Sequence, residues 1–233
     1  ALFLAGGHRV AVHDPAPDVA RDLPARVAAA WPVLQGLGLA EAPLSEHRLT
    51  EGISFHDSAA GAVAGADFVQ ENIPERLPLK HALFAEIEPA LAPHAVVATS
   101  TSGLRLSQLQ AGWTDPARLV LGHPFNPPHL IPLVEVMGND RTDEAAVTTA
   151  LAFYESLGKQ TIRLHREVTG HVANRLQAAL WQEIIHLVRE GVVSVRDADT
   201  ALSAAVGLRW AAMGPTATFS LGAGDAGVEG FLA

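Results

Sequence analysis

The 233-residue chain is 48% apolar and 18% charged, enough to bury a sizeable core as one large domain or two small ones and too apolar for general disorder. Its formal net charge of -9 comes with arginines scattered singly, so neither nucleic acid nor an anionic membrane surface is an expected partner. The absence of cysteine excludes disulfides, thiolate metal sites and a cysteine nucleophile, and it suits a reducing cytoplasm; no apolar run approaches membrane-spanning length.

In chain order, Ala1 to Ala5 suits the last turns of a helix stopped by Gly6-Gly7, followed by an apolar strand, Arg9 to His13, that ends at Asp14. Helix, glycine stop, strand and acid is the order of a dinucleotide-binding βαβ unit, whose acid binds the adenosine ribose and whose glycine fingerprint lies about 20 residues earlier. Here that fingerprint would fall before residue 1. Acids also follow strands for local turn-forming reasons, so Asp14 alone is a weak signal. Pro17 to Leu39 has helical periodicity disturbed by Pro24 and Pro32, which predicts a kinked or broken helix, and Ala40 to Gly52 reads as irregular.

Strands and helices then alternate. Ile53 to His56, Ala66 to Ile73, Val96 to Ser100, Arg118 to Leu121, Ile131 to Met137 and Thr161 to Leu164 read as strands. Ser58 to Ala64, Leu79 to Leu91 and Asp143 to Leu157 read as helices, the last capped by Thr142 and ended by Gly158. The alternation predicts an α/β fold, a Rossmann-type doubly wound sheet with ligands beyond the carboxyl ends of its strands. Four polar clusters fall at such ends: Asp14, Glu71 to Arg76, Ser100 to Ser102, and His123.

His123 and Glu135 stand at the edges of two apolar runs separated by Asn126-Pro127-Pro128. A carboxylate among valines is costly unless paired. If the runs are neighbouring strands, Glu135 reaches the imidazole, holds one tautomer and raises its basicity, as in acid/base catalysis. The alternative is a core histidine satisfied by a backbone carbonyl and an edge glutamate facing water.

After Gly170 no strand pattern remains. His171 to Glu190 is an amphipathic helix, a second runs from Ser194 to Val206, and a third follows Gly214-Pro215. These features divide the chain near Val168-Thr169 into residues 1–168, expected to be a Rossmann-like NAD-binding domain without its N-terminal glycine loop, and residues 169–233, an all-helical domain whose apolar stripe needs a partner surface, either the α/β domain or a second copy. The stripe Val172, Leu176, Leu180, Ile184 and Leu187, with Trp181 beside it, predicts a homodimer through the helical domain.

The run His123-Pro124-Phe125-Asn126-Pro127, Glu135 beyond it, and Gly170-His171-Val172-Ala173-Asn174-Arg175-Leu176 together resemble the 3-hydroxyacyl-CoA dehydrogenase family. Asp14, the run Gln70 to Glu75, Lys80, Ser100-Thr101-Ser102 and Met213-Gly214-Pro215 extend the likeness across nearly all of the chain. Pro127-Pro128, the Thr-Ser-Gly turn and Gly207-Leu208-Arg209-Trp210 are most similar to the branch containing lambda-crystallin, L-gulonate 3-dehydrogenase and L-carnitine dehydrogenase. The resemblance implies an NAD-dependent dehydrogenase in which His123 takes the proton of a 3-hydroxyl group and Glu135 stabilises the imidazolium. It also implies substrate contacts from Ser102 and Asn174, and cofactor-side positions for Asp14, Glu75, Lys80 and Ser100.

Two departures bear on the substrate. Ser100 stands where the acyl-CoA enzymes usually carry Asn, and Arg48 is the only Arg or Lys between Leu34 and Thr50, where those enzymes carry a lysine cluster. A CoA phosphate without cations binds poorly. A small 3-hydroxy acid is therefore expected over an acyl-CoA, with Arg209, read as following a helix end at Gly207, as a candidate for its carboxylate. An L-3-hydroxyacyl-CoA dehydrogenase of fatty-acid oxidation and a non-catalytic crystallin-like binding or structural protein are the alternatives.

Overall fold

A computed structural model of the chain describes residues 1–40, 42–224 and 227–232, so Glu41, Asp225, Ala226 and Ala233 lie outside the described residues. Two compact units divide the chain, Ala1–Asn174 and Arg175–Ala233. The first extends past the boundary expected near Val168-Thr169 because residues 171–173 bond back into it: His171 to Thr101, and the amides of Val172 and Ala173 to Glu135.

The first unit opens with α1 (Leu2–Ala5), a turn at Gly7 with φ 85°, and β1 (Val10–Val12). The helix α2 (Val19–Gly36) runs through Pro24 and Pro32 without the expected break. Each proline removes only one backbone N–H, and the buried face Val27, Trp31 and Leu34 packs with Leu4 and Ala40 to hold the helix as one piece. Where an irregular segment was expected there is a short helix, α3 (Glu46–Gly52), started by the Ser45 hydroxyl, which accepts from the amide of Arg48. Strand β2 (Ile53–Phe55) pairs parallel with β1 as a two-stranded sheet.

After α4 (Ala59–Val63), the main sheet is built by β3 (Phe68–Glu71), α5 (Leu77–Ile87), β4 (Val96–Thr99), α6 (Leu106–Gln110), β5 (Leu119–Pro124), β6 (Leu133–Met137), α7 (Glu144–Ser156) and β7 (Gln160–Arg163). Its strand order is β3-β4-β5-β6-β7, and β5 with β6 is its antiparallel pair. The helix α6 is an addition to the sequence-based expectation. Asp143, not Thr142, occupies the N-cap of α7, and the Thr142 hydroxyl instead donates to the Leu119 carbonyl.

The two-residue period of the strands divides the core. Val96, Ala98, Val120, Val134 and Val136 pack on α7, while Val97, Leu119, Leu121 and Met137 pack on α4, α5 and α6. Helices thus cover both faces, giving the doubly wound, Rossmann-type arrangement. Because residues 119, 121 and 123 share a face, as do 135 and 137, both His123 and Glu135 point to the α4–α6 side.

The second unit is helical. It takes up α8 (Ala173–Arg189) from Arg175, then α9 (Val195–Ala201) capped by Ser194, a π-helical turn Leu202–Val206, α10 (Gly207–Ala212), α11 (Pro215–Gly222) and α12 (Gly227–Leu232). Gly207 has φ -64° and continues the helical path, so the helix end expected there is absent and Arg209 lies within α10. Ala198 is the one buried apolar residue among the described residues of this unit. No helix among the described residues is long and apolar enough to cross a membrane.

Gly122 lies in β5 where a Cβ would meet the Tyr154 hydroxyl and come within 2.8 Å of the Ala98 Cβ. Tyr154 cannot withdraw freely, since its hydroxyl donates to Gln70 Oε1 at 2.6 Å. Gly122→Ala is expected to cost about 1–3 kcal/mol of stability. Urea unfolding would show this as a lower midpoint at an unchanged slope.

Candidate active site

Antiparallel pairing sets His123 directly opposite Glu135. His123 Nδ1 donates to Glu135 Oε2 at 2.8 Å, and both side chains are buried. The other oxygen, Oε1, accepts from the amides of Val172 and Ala173, each at 2.9 Å, at the start of α8. Glu135 is thus the N-terminal cap of a helix 37 residues downstream, where the free amides and helix dipole favour an anion. Burial alone would push the Glu135 carboxyl up. The hydrogen bond from His123, the two amides and the electrostatic pull of the imidazole instead hold it below its ordinary value of 4.5.

The loop after β4 is fixed from two sides. Glu75 Oε1 accepts the Thr101 hydroxyl and the amides of Ser102, Gly103 and Leu104, the last three at 3.0, 2.7 and 3.0 Å. These bonds, with the Lys80 charge, outweigh burial and lower the Glu75 pKa. On the other side, His171 Nε2 donates to the Thr101 carbonyl at 2.9 Å. Ser102 itself is exposed, and neither its hydroxyl nor that of Ser100 bonds to the protein among the described residues.

Lys80, expected on the cofactor side, is enclosed at the exit of β3. It is 0% exposed, and its ammonium bonds to Glu71 Oε1 and Oε2 at 2.7 and 2.8 Å and to the Ile73 carbonyl. Thr99 Oγ1 and the Ile73 amide also donate to Glu71, each at 2.6 Å. Lys80 stands on the inward stripe of α5 with Phe84 and Ile87, so it braces the strand exit beneath the loop. The helical spacing of residues 80, 84 and 87 is the signal in the sequence for this burial.

Asp14 is exposed beyond β1, where Oδ1 accepts the Ala16 amide at 2.8 Å and Oδ2 bonds to nothing among the described residues. Asn174 is half-buried near the start of α8. Arg209 is exposed on α10 of the second unit. The first unit therefore joins His123, Glu135, Ser102 and Glu75 into one bonded framework through residues 171–173, whereas Asp14 stands apart from it.

Residues missing from the sequence-based set are His171 and Lys159. His171 is 1% exposed and stacks at an angle beside His123, with ring centroids 5.2 Å apart. Lys159, itself buried, donates to the carbonyls of Pro128 and Ile131 and so clamps the loop that follows His123, which contains a cis Asn126-Pro127 bond.

The free oxygen of Asp14 and the unbonded hydroxyls beyond β4 fit the ribose and amide groups of a dinucleotide. Asp14 follows β1 of the two-stranded sheet, and Ser100 and Ser102 follow β4 of the five-stranded one, both at carboxyl ends of parallel strands, where α/β proteins take up ligands. Residues 1–168 match the 3-hydroxyacyl-CoA dehydrogenase NAD binding domain, and residues 170–232 match the 3-hydroxyacyl-CoA dehydrogenase C-terminal domain. The chain belongs to the 3-hydroxyacyl-CoA dehydrogenase family and is an NAD-dependent enzyme.

Among its relatives, the L-carnitine dehydrogenase of Streptomyces coelicolor is 50% identical over 232 residues, 100% of this chain and 71% of that protein. The L-carnitine dehydrogenase of Pseudomonas aeruginosa is 44% identical over 233 residues, 100% of this chain and 71% of that protein. Among solved structures, 5-formyl-3-hydroxy-2-methylpyridine 4-carboxylic acid 5-dehydrogenase, described as an NAD+-dependent dismutase, superposes with a TM-score of 0.87. It is 33% identical and covers 98% of this chain and 71% of its own.

Because the folded pKa of Glu135 is depressed, its contribution to stability is present above the unfolded value and is lost as pH falls through the folded one. Glu135→Gln should therefore be less stable than the parent at neutral pH, and the two stabilities should converge as pH drops below 4.5. Urea titrations across acid pH measure the gap, which would stay constant if the carboxylate carried no ionised role.

Proposed function

We propose that the protein oxidises the 3-hydroxyl of a small 3-hydroxy acid, L-carnitine foremost, to the 3-keto product. The observation that carries this reading is the oriented imidazole: with Nδ1 donating to Glu135, His123 Nε2 is the nitrogen left to accept a proton. It takes the proton of the substrate hydroxyl, and Glu135 stabilises the imidazolium that results. NAD, when bound, accepts the hydride from the same carbon, so the C–H and O–H bonds break as the carbonyl forms. Ser102 donates to the reacting oxygen, and Asn174 orients the substrate. Asp14 receives the adenosine ribose, with Ser100 and Glu75 on the nicotinamide side.

The preference for a free acid over an acyl-CoA is supported by the state of Arg48, the sole Arg or Lys between Leu34 and Thr50. Its guanidinium donates to the Leu4 carbonyl at 3.1 Å and lies 5.4 Å from the centre of the Trp31 ring, which engages it within the fold. Arg209, exposed and without an ion pair among the described residues, is the candidate for the substrate carboxylate. The names of the relatives, L-carnitine dehydrogenases at 50% and 44% identity, favour the same choice.

With L-carnitine and NAD, His123→Gln should lower kcat by about a hundredfold or more while leaving the fold intact. The parent should use L-carnitine at least about tenfold more efficiently than 3-hydroxybutyryl-CoA, a difference of ~1.4 kcal/mol. Side-by-side kcat/KM values test both, and a preference for the thioester would sink the substrate assignment.

The functional protein is a homodimer through its helical unit. Support comes from the apolar surface of α8, where Leu176 and Trp181 are 62% and 65% exposed, and from Leu208 at 67% on α10. Light scattering at micromolar concentration should give the mass of two chains, and Trp181→Glu should shift it toward one.

A further inference from the structure

His171 combines three features that a merely space-filling residue has no reason to hold. Its φ is 52°, in the left-handed region, directly after Gly170 at φ 79°. Its side chain is 1% exposed, and Nδ1 is buried without any hydrogen-bond partner. Both features are unfavourable. What the histidine gains in return is the bond from Nε2 to the Thr101 carbonyl, across 70 residues of sequence.

The positions on either side of that bond give it meaning. Thr101 belongs to the loop whose next three amides are fixed on Glu75, and it precedes Ser102 directly. The two residues after His171 donate their amides to Glu135, whose other oxygen holds His123. One short segment therefore grips the serine loop with a side chain and the histidine–glutamate pair with its backbone. A carbonyl oxygen can only accept, so the Thr101 contact also fixes which imidazole nitrogen carries hydrogen.

We infer that His171 is a positioning residue for the dehydrogenase reaction, setting Ser102 in register with the His123–Glu135 pair through its Nε2–H bond to Thr101. This rests on the proposed roles of Ser102 and His123. It acts on the alignment of the reacting groups and not on the capture of substrate or cofactor, so its loss falls on kcat.

Two substitutions separate the side-chain bond from the backbone. His171→Gly accepts the left-handed conformation without strain and removes the bond, whereas His171→Gln carries an amide N–H at a reach similar to Nε2. With L-carnitine and NAD, the Gly variant should lose about tenfold or more in kcat, with both KM values held within about threefold. The Gln variant should recover most of the loss. Near-parental kcat in the Gly variant, a loss confined to KM, or a Gln variant no better than Gly would each overturn the inference.

Nitrogen-15 NMR of the parent supplies a readout independent of turnover. His171 should be the Nε2–H tautomer, and the Ser102 and Gly103 amide signals should move in the Gly variant. An Nδ1–H tautomer, or unmoved amides, would refute the bond's role. His123→Gln assayed alongside distinguishes the two layers: full activity there would remove the functional reading, while the NMR results would still decide whether His171 sets the loop.

Discussion

A carboxylate with no exposure, Glu135, is the constraint around which the first unit is arranged. An ion of that size costs several kcal/mol to desolvate unless its oxygens are satisfied. One oxygen is met by a strand neighbour and the other by the start of a helix far along the chain. The pairing of β5 with β6, the entry of α8 and the orientation of the imidazole are therefore parts of one solution. A change at any of them takes a partner away from a buried charge.

The acids and bases around this pair divide their labour between holding and reacting. Glu71 and Lys80 are closed on each other under the loop and add rigidity where two strands end. Glu75 stands halfway, with one oxygen bound to the loop amides and its side chain 38% exposed. His123, with one ring nitrogen fixed and the other unbonded among the described residues, is the member of the set that the proposed reaction uses. Rigid surroundings and one available nitrogen are what a base needs in order to meet its substrate at a fixed angle.

Much of this was legible in the sequence because it depends on short-range pattern. The alternation of strands and helices, the strand pair around Asn126-Pro127-Pro128 and the partnership of His123 with Glu135 follow from period and spacing. Helix α3 was missed because its start rests on one serine in a polar stretch, and the break in α2 failed to occur because packing of Trp31 and Leu34 overrode the prolines. The burial of Lys80 was legible in its spacing with Phe84 and Ile87, which marks an inward position. His171 was hidden for a different reason: its partner is a backbone carbonyl, and carbonyls leave no trace in a residue code.

The antiparallel turn in an otherwise mainly parallel sheet has a consequence for how the molecule assembles. It brings histidine and glutamate together across only 12 residues, whereas the contact between His171 and Thr101 closes 70. Loop entropy makes the longer closure dearer by about 1.6 kcal/mol. Contact order thus favours a hairpin that forms early with its acid still open to water, and a later docking of residues 171–173 that seals it. The pair is made locally, and its dry, low-dielectric surroundings arrive with the last long-range contacts.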